Sequence, residues 1–358
     1  MKKISMQYIA DRLGVSKYTV SQALAGKEGV SEATRLKVTA LAQALGYQVR
    51  SAAGADEAGA SERVVLVGME ARHIAEPLFW AHVKEGIEAG CRTAAMHPVF
   101  FTFHAGKSAD WLQRLLHSEE CAAAAGFIIA GNCPTDALLR LSHTGKPIVL
   151  ADHEEAIIAA DCVLNANVDA GRMACHHLLA HGCRSLAFVG RDHYAVSFRE
   201  RWWGCRMALD DRNGKQAVLK YGSRYSQVPE EVLAAGAQLR KWTISYGTSA
   251  WQQPLRKKIE LESERLPDGF ICANDDIALE LLAALNEKGV NVPGQTKVVG
   301  IDNTASAGQA RLPLTSVDLG KERLGLRAVE ALSRRLARPG EPAEKIILPA
   351  NLVVRATG

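Results

Sequence analysis

From Arg63 onward the chain keeps one rhythm: short apolar runs separated by stretches with helical spacing. The runs are VVLVGM (64–69), PVFFTF (98–103), GFIIAG (126–131), PIVLA (147–151), SLAFVG (185–190), GFICA (269–273) and KVVGI (297–301). Each is short and apolar without polar alternation, so the strand it forms must be covered on both faces. Strands of that kind, with helices between them, make parallel doubly wound sheets in an α/β fold. There are too many for one sheet of ordinary size, and 358 residues exceed one small core, so two such subdomains are expected.

Residues 1–50 break the rhythm. They predict three short helices. The first runs from about Met6 to Leu13 and ends at Gly14, where a residue without Cβ tolerates the turn. Ser16 caps the second, through Leu24, with Val20, Ala23 and Leu24 inward. Gly26 and Gly29 break it. Ser31 caps the third, where Thr34, Val38, Leu41, Ala42 and Leu45 repeat at helical spacing. This head holds eight Lys/Arg against three Asp/Glu, although the whole chain carries only +4, so the remainder is close to neutral. A small basic unit on a neutral carrier points to a polyanion.

Helix, Gly turn, helix is the spacing of a DNA-reading helix-turn-helix. Ser16, Thr19 and Ser21 offer hydroxyls to phosphates. Lys17, Tyr18 and Gln22 are long enough to reach base edges, and Gln can pair with adenine through two hydrogen bonds. A small three-helix packing unit without ligand is the plainer alternative.

The N-terminus has no apolar run of signal-peptide length, and no segment approaches a membrane span. Eight Cys without a CxxC pair fit reduced thiols, so a cytoplasmic protein is expected. CHHLLAHGC (175–183) puts His177 and His181 four apart on a helix, but no Glu follows, and no metal is expected. GxSxG, GxGxxG and P-loop signatures are absent, so neither a cofactor nor a catalytic set is nominated.

IADRLGVSKYTVSQAL followed by GVSEATRLKVTALAQALGY resembles the head of the lactose-repressor/galactose-repressor (LacI/GalR) family of transcription regulators, whose pattern is IAxxxGVSxxTVSRxL, then VSxxTRxxVxxxAxxLGY. The resemblance implies that Lys17, Tyr18 and Gln22 read bases and that Ser16, Thr19, Ser21, Ser31, Thr34 and Tyr47 hold phosphates. Gln22 stands where the family usually has Arg. The chain departs from the family after Tyr47. It reads GYQVRSAAGAD where GYxPNxxARxL is usual, and Asp56 replaces the Leu that wedges into the minor groove. No wedging hinge helix is therefore expected over 50–58.

The body resembles the same family's sugar-sensing domain, which looks like a periplasmic binding protein. The landmarks are VNANVDAGRMACHHLLAHGCRSLAFVG, RWWG (201–204), ICANDDIALELLAAL with GVNVPGQTKVVGIDN, and PLTSV (313–317); the likeness weakens between about 217 and 264. It implies a cleft site in which Arg201 and Asp275, and more loosely Phe79 and Trp80, touch a small sugar or sugar phosphate. Asp152, directly after the PIVLA strand, is a weaker candidate for the same site. Trp202 and Trp203 either extend an aromatic wall or pack in the core.

The expected organisation is a helix-turn-helix domain (1–50), a linker (51–62) and an effector and dimerisation domain (63–358). Within the last, one subdomain covers about 63–160 and 302–337 and the other about 161–301 and 340–358. The expected function is that of a ligand-responsive repressor, a homodimer on operator DNA. A transporter's solute-binding protein explains the body but not the head, and an enzyme lacks an acid/base pair.

Overall fold

The computed structural model describes residues 6–24, 31, 34–38, 41, 63–71, 77–104, 110–210, 237–248 and 250–358. The chain divides into two compact units, Met1–Glu62 and Arg63–Gly358.

In the first unit, helices Met6–Leu13 and Lys17–Leu24 flank Gly14, whose φ of 64° is the left-handed conformation the turn needs. Residues 34–38 are helical. Ala10, Val20, Ala23 and Val38 are buried, as their spacing predicts. The expected breaks at Gly26 and Gly29, the third helix beyond residue 41, and the linker over 50–58 lie outside the described residues.

The second unit holds two six-stranded sheets. The first has the order β11-β5-β4-β3-β1-β2 and is parallel throughout: β1 Arg63–Glu70, β2 Met96–Phe103, β3 Gly126–Ala130, β4 Ile148–Ala151, β5 Asp161–Asn165 and β11 Lys345–Leu348. The second has the order β12-β10-β9-β8-β6-β7: β6 Ser185–Val189, β7 Gln238–Trp242, β8 Gly269–Cys272, β9 Lys297–Ile301, β10 Thr315–Asp318 and β12 Asn351–Val353. Only β12 is antiparallel, paired with β10. The seven apolar runs all became strands. Five further strands lack such a run: β7 alternates at a sheet edge, and β5, β10, β11 and β12 are short and carry polar residues.

Those extra strands correct the expected subdomain limits. β5 pairs with β4 and β11 pairs with β5, so 161–165 and 345–348 belong to the first sheet. β10 pairs with β9, so 315–318 belong to the second. The chain therefore crosses between sheets after Asn165, after Asp318 and after Leu348, not at 161, 302 and 340. Pairing partners far along the chain, not local composition, place these strands. The crossings lie side by side: Ala166 N donates to Leu348 O at 3.0 Å, and Asp318 pairs with Asn351. After the second crossing, helix Lys321–Ala337 returns to the first sheet and buries Leu324, Ala328 and Leu332 against Val65 and Ile128. Three adjacent strands of chain between two rigid sheets make a hinge.

Candidate functional site

Both serines expected at helix starts in the head are exposed and act as caps. Ser16 Oγ accepts from Thr19 N at 2.9 Å, and Ser31 Oγ accepts from Thr34 N at 3.3 Å. A capped helix start keeps its remaining amides directed outward, where a phosphate can meet them. Thr19, Gln22 and Thr34 are half-buried. Lys17, Tyr18 and Ser21 lie on the second helix, but their side chains are outside the described residues, as is all of Tyr47.

In the body, a narrow cleft opens between the two sheets. Phe79, Trp80, Asn132, Asp152 and His153 line it from the first sheet's side, and Tyr194, Phe198, Arg201, Asn274 and Asp302 from the second's. Four of them follow the carboxyl end of a strand: Asn132 after β3, Asp152 after β4, Asn274 after β8, Asp302 after β9. Parallel strands present loops and helix starts there, which is where doubly wound sheets bind ligands. Backbone conformation helps aim the acids. Asp152 has φ 56°, Asp302 118° and Asn303 49°, left-handed values that surrounding contacts must enforce.

Arg201 is the buried centre of the cleft. Its Nε donates to Asn167 Oδ1 (3.1 Å), Nη1 to Ala273 O (2.5 Å) and Nη2 to Asp302 Oδ1 (3.1 Å). Its depth follows from a close helix crossing. A Cβ on Gly171 would stand 2.0 Å from Arg201 O, and one on Gly204 would stand 2.0 Å from Val168 O. Helices Asn167–Ala180 and Val196–Asp210 thus touch backbone to backbone.

The acids here are poorly neutralised. Burial pushes the Asp302 carboxyl up to about 8; Arg201 and Lys321 pull it down and Asp275 and Asp276 push it further up. Burial likewise takes Asp152 up to about 6, opposed by Arg201 and Asn165 and assisted by Glu200. Lys321 is itself buried, and its ammonium donates to Asp302 O (2.5 Å) and Asn303 O (3.2 Å), holding the strained turn across the hinge.

Four of the five sequence-predicted contacts therefore meet in one cleft: Phe79, Trp80, Asp152 and Arg201. Asp275 does not. It is fully buried, with Oδ2 accepting from Thr304 N (2.7 Å) and Oγ1 (3.2 Å) and Oδ1 accepting from Ser316 Oγ (2.6 Å). A Cβ on Gly300 would approach its Oδ1 to 2.2 Å, so β9 must carry glycine there. Asp275 ties the second sheet together, and its neighbour Asn274 and distant Asp302 face the cleft instead. Asp302 follows a strand run, KVVGI, just as Asp152 follows PIVLA; that parallel was the available signal. Neither unusual tryptophan reaches the cleft. Trp202 packs on Phe188 (centroids 5.5 Å apart), and Trp203 is half exposed under Arg199. Tyr194 and Phe198 add to the aromatic surface of Phe79 and Trp80. The rings of His177 and His181 lie tilted against each other with centroids 4.3 Å apart; His181 Nδ1 donates to His177 O, and burial pushes His177 down to about 4.

Residues 5–49 match the model of bacterial regulatory proteins, lacI family, and residues 175–357 match the periplasmic binding protein-like domain. The chain is 25% identical to the HTH-type transcriptional regulator CelR of Thermobifida fusca, over 100% of its own length and 99% of the relative's. It is 26% identical to the HTH-type transcriptional repressor MelR of Bacillus subtilis, over 98% and 96%. Among solved structures it resembles a CelR–cellobiose complex (TM-score 0.65, 22% identity, covering 99% of this chain and 100% of that one). It also resembles a lac repressor dimer bound to operator and the anti-inducer ONPF (TM-score 0.64, 21% identity, 99% of each chain).

Proposed function

Because the chain belongs to the lacI family of bacterial regulatory proteins, with a periplasmic binding protein-like body, we propose that it represses transcription from an operator and responds to a small sugar-like effector. The observation that carries this reading is the conjunction in one chain of a capped helix-turn-helix with a hinged, aromatic-walled cleft. Lys17, Tyr18 and Gln22 read bases; Ser16, Thr19, Ser21, Ser31, Thr34 and Tyr47 position the head on phosphates. Since one head covers half a palindrome, the working form is a homodimer whose heads meet half-sites about 34 Å apart.

The effector lies on Phe79 and Trp80 and bonds to Asp152 and Arg201, with Asp302 in the part first given to Asp275. Contacting both sheets, it favours one closure of the hinge and shifts operator affinity by its preference for that closure. No catalysis is assigned, since Arg201 and Asp302 are bonded to each other rather than poised for proton transfer. A protein acting on chromosomal DNA works in the cytoplasm, and no described helix is long and apolar enough to cross a membrane.

The test is a gel shift of the full chain on the DNA upstream of its own gene, titrated with salt and with unrelated competitor DNA. Sequence-selective retardation, lost in the Lys17→Ala/Tyr18→Ala/Gln22→Ala triple variant, is expected. Equal binding to unrelated DNA would reject the reading.

A further inference from the structure

We propose that the body binds a single divalent cation of the zinc class at a site outside the cleft, held by His82, Glu85 and Glu322.

Two helices build the site. His82 and Glu85 lie three residues apart on helix Pro77–Thr93, a spacing that puts both side chains on one face. Glu322 stands in the first turn of helix Lys321–Ala337. These helices cross backbone to backbone. A Cβ on Gly86 would stand 2.0 Å from Glu322 O, and one on Gly325 would stand 2.1 Å from Val83 O. Glycine at both places lets Glu322 sit against the turn that bears His82 and Glu85, and the contact fixes the three backbones relative to one another. Sequence spacing shows only the His82–Glu85 half of the set; the crossing brings in Glu322.

Three ligand atoms converge there. His82 Nδ1 is 3.0 Å from Glu85 Oε2 and 3.0 Å from Glu322 Oε1, and all three lie within 4.8 Å of one another. An imidazole Nδ1 carries at most one hydrogen, which cannot serve two carboxylates equally well. A cation can. At metal–ligand distances of about 2.0–2.2 Å, neighbouring ligands on one ion stand about 3.0–3.4 Å apart, close to the separations already present. Among the described residues neither glutamate is paired with a Lys or Arg; Lys84, on the same helix, pairs with Glu88 instead. Two carboxylate charges therefore converge on one imidazole.

The donor set selects the ion. One imidazole nitrogen with two carboxylate oxygens suits Zn2+ better than Mg2+ or Ca2+, which prefer shells of oxygen alone. The side chains of His82, Glu85 and Glu322 are 34%, 62% and 58% exposed, so water completes the shell and the ion exchanges with solvent. The same two helices carry Phe79 and Trp80 to the cleft and Lys321 to the hinge turn, so the ion braces elements on which the cleft is built.

The experiment titrates the untagged, chelator-treated full chain with Zn2+, by calorimetry and by thermal shift, in a non-coordinating buffer. One Zn2+ per chain is expected, with a rise in melting temperature of about 2 °C or more at a hundredfold excess over its dissociation constant. His82→Gln and the double variant Glu85→Gln/Glu322→Gln should each weaken binding about tenfold or more. Both should melt like wild type without metal; where one melts lower, the calorimetric affinity of the folded variant still decides. Co2+ in place of Zn2+ should give a spectrum without thiolate charge transfer, which separates this site from the eight cysteines. No saturable binding below about 1 mM Zn2+ overturns the proposal. So does an affinity unchanged in both variants, a thiolate band with Co2+, or Mg2+ binding as tight as Zn2+ binding.

Discussion

Asp161 and Asp302 are both buried carboxylates at the ends of parallel strands, and their surroundings are opposite. Asp161 opens β5 at the amino edge of the first sheet. It accepts from Arg334 (2.8 Å), from Arg335 through Nε (3.1 Å) and Nη2 (2.8 Å), and from Glu344 N (2.6 Å). Burial opposes its charge, yet Arg335, the Glu344 amide and Arg334 outweigh burial and hold the carboxyl below its usual range. Asp302 follows β9 at the carboxyl edge of the second sheet, with one shared arginine and two acids nearby, and its carboxyl is driven up to about 8. A saturated carboxylate pins strands together. An unsaturated one is tolerated where a partner from outside can complete it.

The largest effect expected from this contrast is at Asp161. Asp161→Asn leaves two arginines without their buried counter-charge and should cost about 3 kcal/mol or more in urea unfolding. A loss below about 1 kcal/mol would remove Asp161 as an anchor.

The pH profile separates the two sites by sign. Asp302's pKa is raised in the fold, so its penalty is full above about 8 and lifts as pH falls; the unliganded body should gain about 2 °C or more in melting temperature from pH 8.5 to 6.5. Asp161's pKa is lowered, so its contribution is present at neutral pH and is lost in acid, below the ordinary carboxylate value. His177, pushed down by burial to about 4, adds to that acid loss from about pH 6.5 downward, because the unfolded chain takes up the proton first. A profile that only falls from pH 8.5 to 6.5 would contradict the strain at Asp302.

Asp275 lies between the extremes, since burial takes it to about 6 against hydrogen bonds from Ser316 and Thr304. Ser316→Ala removes one of them and should cost about 1–2 kcal/mol by denaturant unfolding, with operator binding intact. Asp302→Asn removes a charge that the pocket opposes but leaves buried Arg201 without its paired carboxylate, so the two effects offset and the net change in stability should be the smallest, under about 1 kcal/mol at pH 8. It should nonetheless weaken effector response in the gel shift. A stability loss near that of Asp161→Asn would erase the distinction between the two sites.

The site was legible where local pattern sufficed. An acid directly after a buried strand marked Asp152, and RWWG marked Arg201, which the helix crossing at Gly171 and Gly204 then buries. The same pattern also fitted Asp275 and Asp302, two residues with similar chain contexts and different neighbours. Nothing local distinguishes them, because the partners that capture Asp275 are Thr304 and Ser316, 29 and 41 residues away. The aromatic wall was legible at Phe79 and Trp80, while Trp202 was left open between wall and core. Trp202 and Phe198 sit on the same helix, and their facing was fixed by what that helix packs against, which put Trp202 in the core and Phe198 in the cleft.

What the sequence determined alone was everything set within a few residues: the capped helices around Gly14, the two-sided strands from Val64 to Ile301, and the doubly wound class they imply. Tertiary structure decided which sheet receives 161–165, 315–318 and 345–348, where the hinge therefore lies, and which carboxylates remain unsatisfied in the cleft. The physical reason is range. Caps and strand propensity are paid for locally, whereas strand pairing and carboxylate satisfaction depend on groups brought together only when the chain has folded.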